Sequence, residues 1–181
     1  MKSEITILDK TFVPFIPYKE LSAAIDVCAE KINTDFSSCK EPPILLCVLN
    51  GALMFTGELL KRLDFPLELV TVRAASYVGT ASSGKVDILT RKLPSFEGRQ
   101  VLMVEDIVDT GNTIVALKDY LTEAGASSIK ICSMLIKPDS YKKDIPIDYV
   151  AMSIPNDFIV GFGLDYEQLG RNLKDIYVLK K

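Results

Sequence analysis

The 181-residue sequence contains no histidine. Neither Ser-His-Asp nor Cys-His catalysis can therefore be assembled, and carboxylates and lysine are left as the acid–base groups useful near neutral pH. Any metal must be held mainly by oxygen, and with carboxylates, hydroxyls and phosphates as the available ligands the natural ion is magnesium. The four cysteines, Cys28, Cys39, Cys47 and Cys132, lie far apart with no Cys-x-x-Cys pair. That spacing argues for reduced packing residues rather than disulfides or a zinc site. No apolar run approaches the ~20 residues of a membrane span, and Met1-Lys2-Ser3-Glu4 begins no signal peptide. The protein is expected in the cytoplasm, with no membrane partner. No basic run of the kind that tracks a phosphate backbone is present, and a net charge of −3 with a pI near 5.1 speaks against nucleic acid as a partner.

What is present suits one domain, since 48% hydrophobic content is enough to build a sizeable core at this length. Ile5–Leu8 read as a short strand, and Leu21, Ile25, Cys28 and Ile32 mark one helical face at i, i+4, i+7, i+11. Ile44–Leu49 form a wholly apolar strand closed by the turn pair Asn50-Gly51, after which Phe55, Leu59 and Leu63 share a helix face. Further strands are expected at 67–74, 86–89, 129–136, 149–152 and, as an edge strand, 176–179. Helices alternating with apolar strands imply a parallel sheet, with ligands at the strands' C-terminal ends.

Residues 101–113 organise the chain. Val101-Leu102-Met103-Val104 read as a strand buried on both faces, followed by the acids Glu105, Asp106 and Asp109 and then by Thr110-Gly111-Asn112-Thr113. Ile114, Leu117 and Leu121 recur at i, i+3, i+7, so a helix starts just after Gly111 and its free N–H groups make an anion pocket there. A phosphate beside three carboxylates would be repelled unless those acids faced sugar hydroxyls, a divalent cation or a proton to be removed. A sugar phosphate with metal satisfies all of these. The plainer alternative has Asp109 or Thr110 capping the helix and the acids solvated.

The run Val101 to Thr113 resembles, nearly residue for residue, the phosphoribosyl-pyrophosphate motif of the phosphoribosyltransferases. The resemblance extends in order over about residues 40–181, and its later parts are those of the hypoxanthine-guanine branch. It implies an α/β chain of the type I phosphoribosyltransferase fold: a central, mostly parallel sheet flanked by helices, with a small hood formed by the termini. The single domain would span 1–181, its core about 20–150 and its hood about 1–15 and 151–181. Glu105, Asp106, Asp109, Thr110, Gly111, Asn112 and Thr113 would hold the phosphoribosyl group and its 5′-phosphate, with Asp109 catalytic at the purine N7. Leu49, Asn50 and Gly51 match the pyrophosphate loop, where the family has a non-proline cis peptide between the equivalents of Leu49 and Asn50. Many members carry a basic residue where this chain has Asn50. Ser76 and Tyr77 match the flexible loop that closes over the reacting centre. Lys137 would donate to the purine O6; Asp157, Phe158 and Ile159 would bind the purine, Phe158 by stacking and Ile159 through its backbone. Arg171 would bind pyrophosphate, and Asp165 together with Glu105 and Asp106 would hold Mg2+. The implied activity is purine salvage, in which a 6-oxopurine and phosphoribosyl pyrophosphate give a nucleotide and pyrophosphate, in a homodimer or homotetramer.

Two glycine patterns carry no function. Gly79–Lys85 has the spacing G-x-x-x-x-G-K, but Val86 stands where Ser or Thr is required; Gly161-x-Gly163 meets Tyr166 where a third glycine is needed. A non-catalytic regulator on the same fold would lose the lid, Lys137 or Asp165 and gain basic sequence, and a simple nucleotide-binding module would need the absent glycine fingerprint. An enzyme is the expectation.

Overall fold

An apolar run bounded by turn signals has no face to show water, and Ile44–Leu49 accordingly forms a strand (β3) in the middle of a sheet. Its side chains alternate between two cores. Leu45 and Cys47 pack with the first core, while Ile44, Leu46 and Val48 pack with the second. In a computed structural model describing residues 2–75, 87–88 and 93–181, the strands before it are β1 (Ile5–Ile7) and β2 (Lys10–Ile16). Those after it are β4 (Glu68–Ala75), β5 (Asp87–Ile88), β6 (Gln100–Val108), β7 (Ser128–Ile136), β8 (Tyr149–Ser153), β9 (Ile159–Val160) and β10 (Ile176–Leu179). The described helices are α1 (Tyr18–Phe36), α2 (Leu53–Leu60) and α3 (Asn112–Glu123).

The larger sheet has the order β5-β4-β3-β6-β7-β8, parallel except for β5, which runs antiparallel to β4. α1 and α2 cover one face. Leu21, Ile25, Cys28 and Ile32, the helical stripe expected from spacing, sit with Phe55 and Leu59 in the first core. Ile114, Leu117 and Leu121 of α3 join the second core on the opposite face. The smaller sheet, order β1-β2-β10-β9, is antiparallel and closes on Phe12, Val160 and Tyr177. It is tied to the larger layer at the start of α1, where Pro17 offers no capping side chain and the Tyr18 N–H donates to Asp175 Oδ1 at 2.8 Å.

Several boundaries differ from expectation. β10 is not an edge strand but lies between β2 and β9, because β2 pairs with it across Pro14 with an irregular register at Ile176/Tyr177. Pro14 is tolerated because β1 pairs only with residues 10–12 of β2, leaving that part of its other edge unpaired. β6 continues to Val108, so Glu105 and Asp106 lie within the strand instead of beyond it. α2 stops at Leu60, and Leu63 packs on the same core from the following turn. Ser76 and Tyr77, and the glycine-lysine stretch after them, lie outside the described residues.

Candidate functional site

β3 and β6 are parallel neighbours, so the turns that leave them open side by side at one edge of the sheet. After Leu49 the chain passes through Asn50 and Gly51 toward α2, with a cis peptide bond between Leu49 and Asn50 as the resemblance implied. Gly51 is enclosed on two sides. A Cβ there would lie 1.4 Å from Asp106 Oδ2 of β6, and a Cβ on Gly163 would lie 2.0 Å from the Gly51 carbonyl oxygen. Three segments distant in sequence meet with room only for glycine between them.

Strand alternation aims Glu105 and Asp106 to different sides of β6. Glu105 is buried, and its Oε2 has no hydrogen-bond partner. Burial, and secondarily the Asp106 charge, push its pKa well above the usual carboxylate range. Asp106 accepts the Ile107 N–H at 2.7 Å. Burial nonetheless raises its pKa to about 6, against the lowering effect of backbone donors and of Arg171. A cation or hydroxyl donors brought against either group would favour the ionised form.

The next turn leads into α3, whose N-cap is Gly111 at φ +79° with no side-chain cap. Neither Asp109 nor Thr110 caps the helix, so its first N–H groups face the turn without side-chain acceptors. Thr110 and Asn112 are exposed and Thr113 half-buried around this end. Tyr141 forms the wall: a Cβ on Gly111 would lie 2.3 Å from Tyr141 Cε2, and the Tyr141 hydroxyl donates to the Ile145 carbonyl at 2.5 Å.

Lys137 leaves the end of β7 beside β6, where its N–H donates to the Val108 carbonyl at 2.9 Å. Its Nζ donates to Asp109 Oδ2 at 3.0 Å. With its side chain only 12% exposed, it is not the solvated surface lysine that a strand end usually carries. From the smaller sheet, Phe158 meets Tyr166 at 5.9 Å in a T-shaped pair and Phe12 at 6.2 Å between centroids, with 44% of the residue exposed. Ile159 begins β9, and Asp157 pairs with Lys181 at 3.1 Å. Arg171 Nη2 lies 2.5 Å from Asp165 Oδ1, and its Nη1 donates to the Gly163 carbonyl at 2.7 Å. Direct contacts therefore bring Gly51, Asp106, Asp165 and Arg171 together and, separately, Lys137 and Asp109, whereas the contacts of Asp157, Phe158 and Ile159 lie within the smaller sheet and the C-terminus, and Ser76 and Tyr77 are outside the described residues. Spacing alone does not flag Tyr141, and it raises Gly163 only within the incomplete glycine pattern Gly161-x-Gly163, whereas the structure packs Gly163 against the Gly51 carbonyl. Arg73, beside Asn50, was legible only as a residue within a strand. A separate polar cavity of about 350 Å³, lined by Asp35, Lys40, Glu41, Gln100 and Ser127 among others, opens at the opposite edge, away from these turns.

A phosphoribosyl transferase domain model matches residues 17–167. The chain belongs to the phosphoribosyltransferase family. It is 46% identical over 153 residues to the hypoxanthine-guanine phosphoribosyltransferase of Streptococcus thermophilus, covering 84% of each chain. Against that of Streptococcus pneumoniae it is 39% identical over 167 residues, 92% of each chain. Its fold is that of the solved hypoxanthine-guanine phosphoribosyltransferase of Bacillus anthracis, with a TM-score of 0.85 at 32% identity over 92% of this chain and 98% of that one. The hypoxanthine phosphoribosyltransferase of Trypanosoma cruzi superposes with a TM-score of 0.86 at 32% identity, over 97% and 95% of the two chains. The parallel sheet flanked by helices is thus the type I phosphoribosyltransferase fold. No helix of the described residues is long and apolar enough to cross a membrane.

Proposed function

We propose that this phosphoribosyltransferase works in purine salvage, joining hypoxanthine, and guanine as well, to 5-phosphoribosyl pyrophosphate and releasing IMP or GMP with pyrophosphate. The observation that carries the choice of base is the Lys137–Asp109 pair, an ammonium donor and a carboxylate acceptor 3.0 Å apart beside the uncapped end of α3. A 6-oxopurine offers an acceptor at O6 next to a proton on N7. That edge complements the pair, whereas adenine turns an amino donor toward the ammonium.

Each residue then takes a part in the proposal. The N–H groups at Gly111, Asn112 and Thr113, with the Thr110 and Thr113 hydroxyls, hold the 5′-phosphate. Glu105 and Asp106, from the two sides of the end of β6, are the carboxylates assigned to the ribose hydroxyls. The exposed Phe158 stacks on the base, the Ile159 backbone meets its edge, and Asp157 supports that segment. N9 of the purine attacks C1′ as the bond from C1′ to pyrophosphate breaks; the electron pair leaves on pyrophosphate, and the N7 proton passes to Asp109. Positive charge developing on the ribose is stabilised by the carboxylates beside it. Leu49, Asn50, Gly51 and Arg171 hold the leaving pyrophosphate, and Ser76 and Tyr77 keep water from the activated sugar.

The donor set also suits magnesium. Asp106 and Asp165 supply hard oxygens, the buried Glu105 Oε2 lacks a partner, and among the described residues no three metal-ligating side chains converge as a complete cage. Magnesium characteristically takes one or two carboxylates and completes its shell with phosphate oxygens and water. When bound, it would neutralise charge on pyrophosphate. The proposal includes one functional domain over 1–181, cytoplasmic residence suited to four free thiols, and a homodimer or homotetramer using exposed apolar residues such as Leu53 and Leu69. Steady-state kinetics with hypoxanthine, guanine, xanthine and adenine, each with phosphoribosyl pyrophosphate and magnesium, tests the reading. Turnover of the 6-oxopurines with rejection of adenine is expected, and equal use of adenine would overturn the assigned base class.

A further inference from the structure

The turn after β3 is flanked by a cation from the neighbouring strand. Leu49 and Arg73 are register partners in the parallel β3–β4 pair, so their side chains leave the same face of the sheet at the edge where the ligand loops lie. Arg73 is exposed, and its Nη2 donates to Asn50 Oδ1 at 3.2 Å. Among the described residues no carboxylate lies within ion-pair distance of it. The contrast with the other arginine at this edge is sharp: Arg171 is matched by Asp165 at 2.5 Å. Around the Asn50-Gly51 turn the acids are Asp106 and Asp165, so Arg171 balances one of them and Arg73 carries positive charge with only a neutral amide for a partner.

We propose that Arg73, oriented by Asn50, is a binding residue for the pyrophosphate group of the sugar substrate and of the leaving product. The Asn50 oxygen holds one arm of the guanidinium, and the amide nitrogen of the same side chain is left to donate alongside the remaining guanidinium N–H groups and the backbone of the turn. A planar fork of donors with unmatched charge fits phosphate oxygens geometrically as well as electrostatically. The charge belongs to the pyrophosphate end, because the 5′-phosphate turn at Gly111 is built on a different strand, β6.

This inference rests on the proposed reaction, and the test separates the two. Calorimetry in magnesium chloride measures binding of inorganic pyrophosphate and, separately, of IMP, which carries the 5′-phosphate but no pyrophosphate. Arg73→Met should weaken pyrophosphate binding about 10- to 100-fold and raise KM for phosphoribosyl pyrophosphate similarly, with IMP affinity within about 2-fold of wild type. Arg73→Lys, which keeps the charge but not the fork, should fall between wild type and Arg73→Met for pyrophosphate. Unchanged pyrophosphate affinity in Arg73→Met, equal losses for pyrophosphate and IMP, or a loss in Arg73→Lys as large as in Arg73→Met would overturn the inference while leaving the reaction standing. A wild-type protein that binds neither ligand would overturn the reaction itself and this inference with it.

Discussion

Gly111→Ala is the smallest perturbation that tests whether the start of α3 is the phosphate site. It meets two separate penalties. At φ +79° an L-residue occupies the left-handed region, at roughly 1 kcal/mol for an alanine. Its Cβ would also lie 2.3 Å from Tyr141 Cε2, so the ring or the helix end must move. Moving the ring sacrifices the hydroxyl bond to the Ile145 carbonyl and part of its contact with the second core, about 1 to 2 kcal/mol more. Urea denaturation should therefore show a loss of about 2 to 3 kcal/mol. IMP affinity should fall by at least about 10-fold, because the N–H groups that hold the phosphate move with the turn. Removing the ring in Gly111→Ala/Tyr141→Ala should relieve the collision but not the backbone strain. The double variant should then be more stable than the sum of the two single losses predicts, by about 1 kcal/mol. A Gly111→Ala protein with wild-type stability and wild-type IMP affinity would refute both the packing argument and the placement of the phosphate.

Asp109→Asn should lower kcat by about 10- to 10⁴-fold with little change in IMP affinity, since proton removal at N7 belongs to the transition state; full turnover under conditions where chemistry limits the rate would remove Asp109 from the mechanism. Lys137→Met should reduce kcat/KM for 6-oxopurines by about 2 to 4 kcal/mol of transition-state binding and narrow the gap to adenine, and undiminished hypoxanthine use would end its role at O6. Asp106→Asn tests electrostatics without substrate. Its folded pKa, raised to about 6 chiefly by burial, means that the native state binds the proton more tightly than the unfolded chain, so stability falls as pH rises from about 4 to 6. In chelator-treated protein, denaturation midpoints should lose part of that slope in the variant, which should be more stable than wild type at neutral pH by on the order of 2 kcal/mol; an unchanged pH profile would contradict the assignment.

Much of the parallel layer was legible because its strands are short apolar runs and its helices single stripes. Ile44–Leu49 has no polar face, and Leu21, Ile25, Cys28 and Ile32 can share a surface only in a helix. The residues that close the smaller sheet were harder to read. β2 contains Pro14, which weakens any strand signal, and β9 has only two residues whose strand character comes from pairing with β10. The length of β6 was underestimated for a related reason: Glu105 and Asp106 break the apolar run, and only pairing with β7 keeps them in strand geometry. At the site, carboxylates and glycines could be marked by motif, but the Gly51–Asp106 and Gly111–Tyr141 approaches join segments about 55 and 30 residues apart. No local pattern encodes such contacts.

Those long-range contacts determine how the site meets charged ligands. Lys137 faces Asp109, and Arg171 faces Asp165, so two of the cations assigned to substrate already have carboxylates from other segments. A ligand entering there exchanges one partner for another, and the side chains are held near their working positions with little ordering left to lose. Proton transfer gains from the same arrangement. In the proposed reaction, Lys137 turning its donors to O6 would release Asp109 from part of its ion pair, leaving it to accept the N7 proton at the adjoining atom of the ring. Arg73 differs because its described partner is the neutral Asn50 amide. Among the described residues it has no ion pair, so under the proposal a departing pyrophosphate could engage its charge without separating one. Under the proposal the purine end works by exchange of partners, and the pyrophosphate end adds a cation that, among the described residues, has no carboxylate partner to give up.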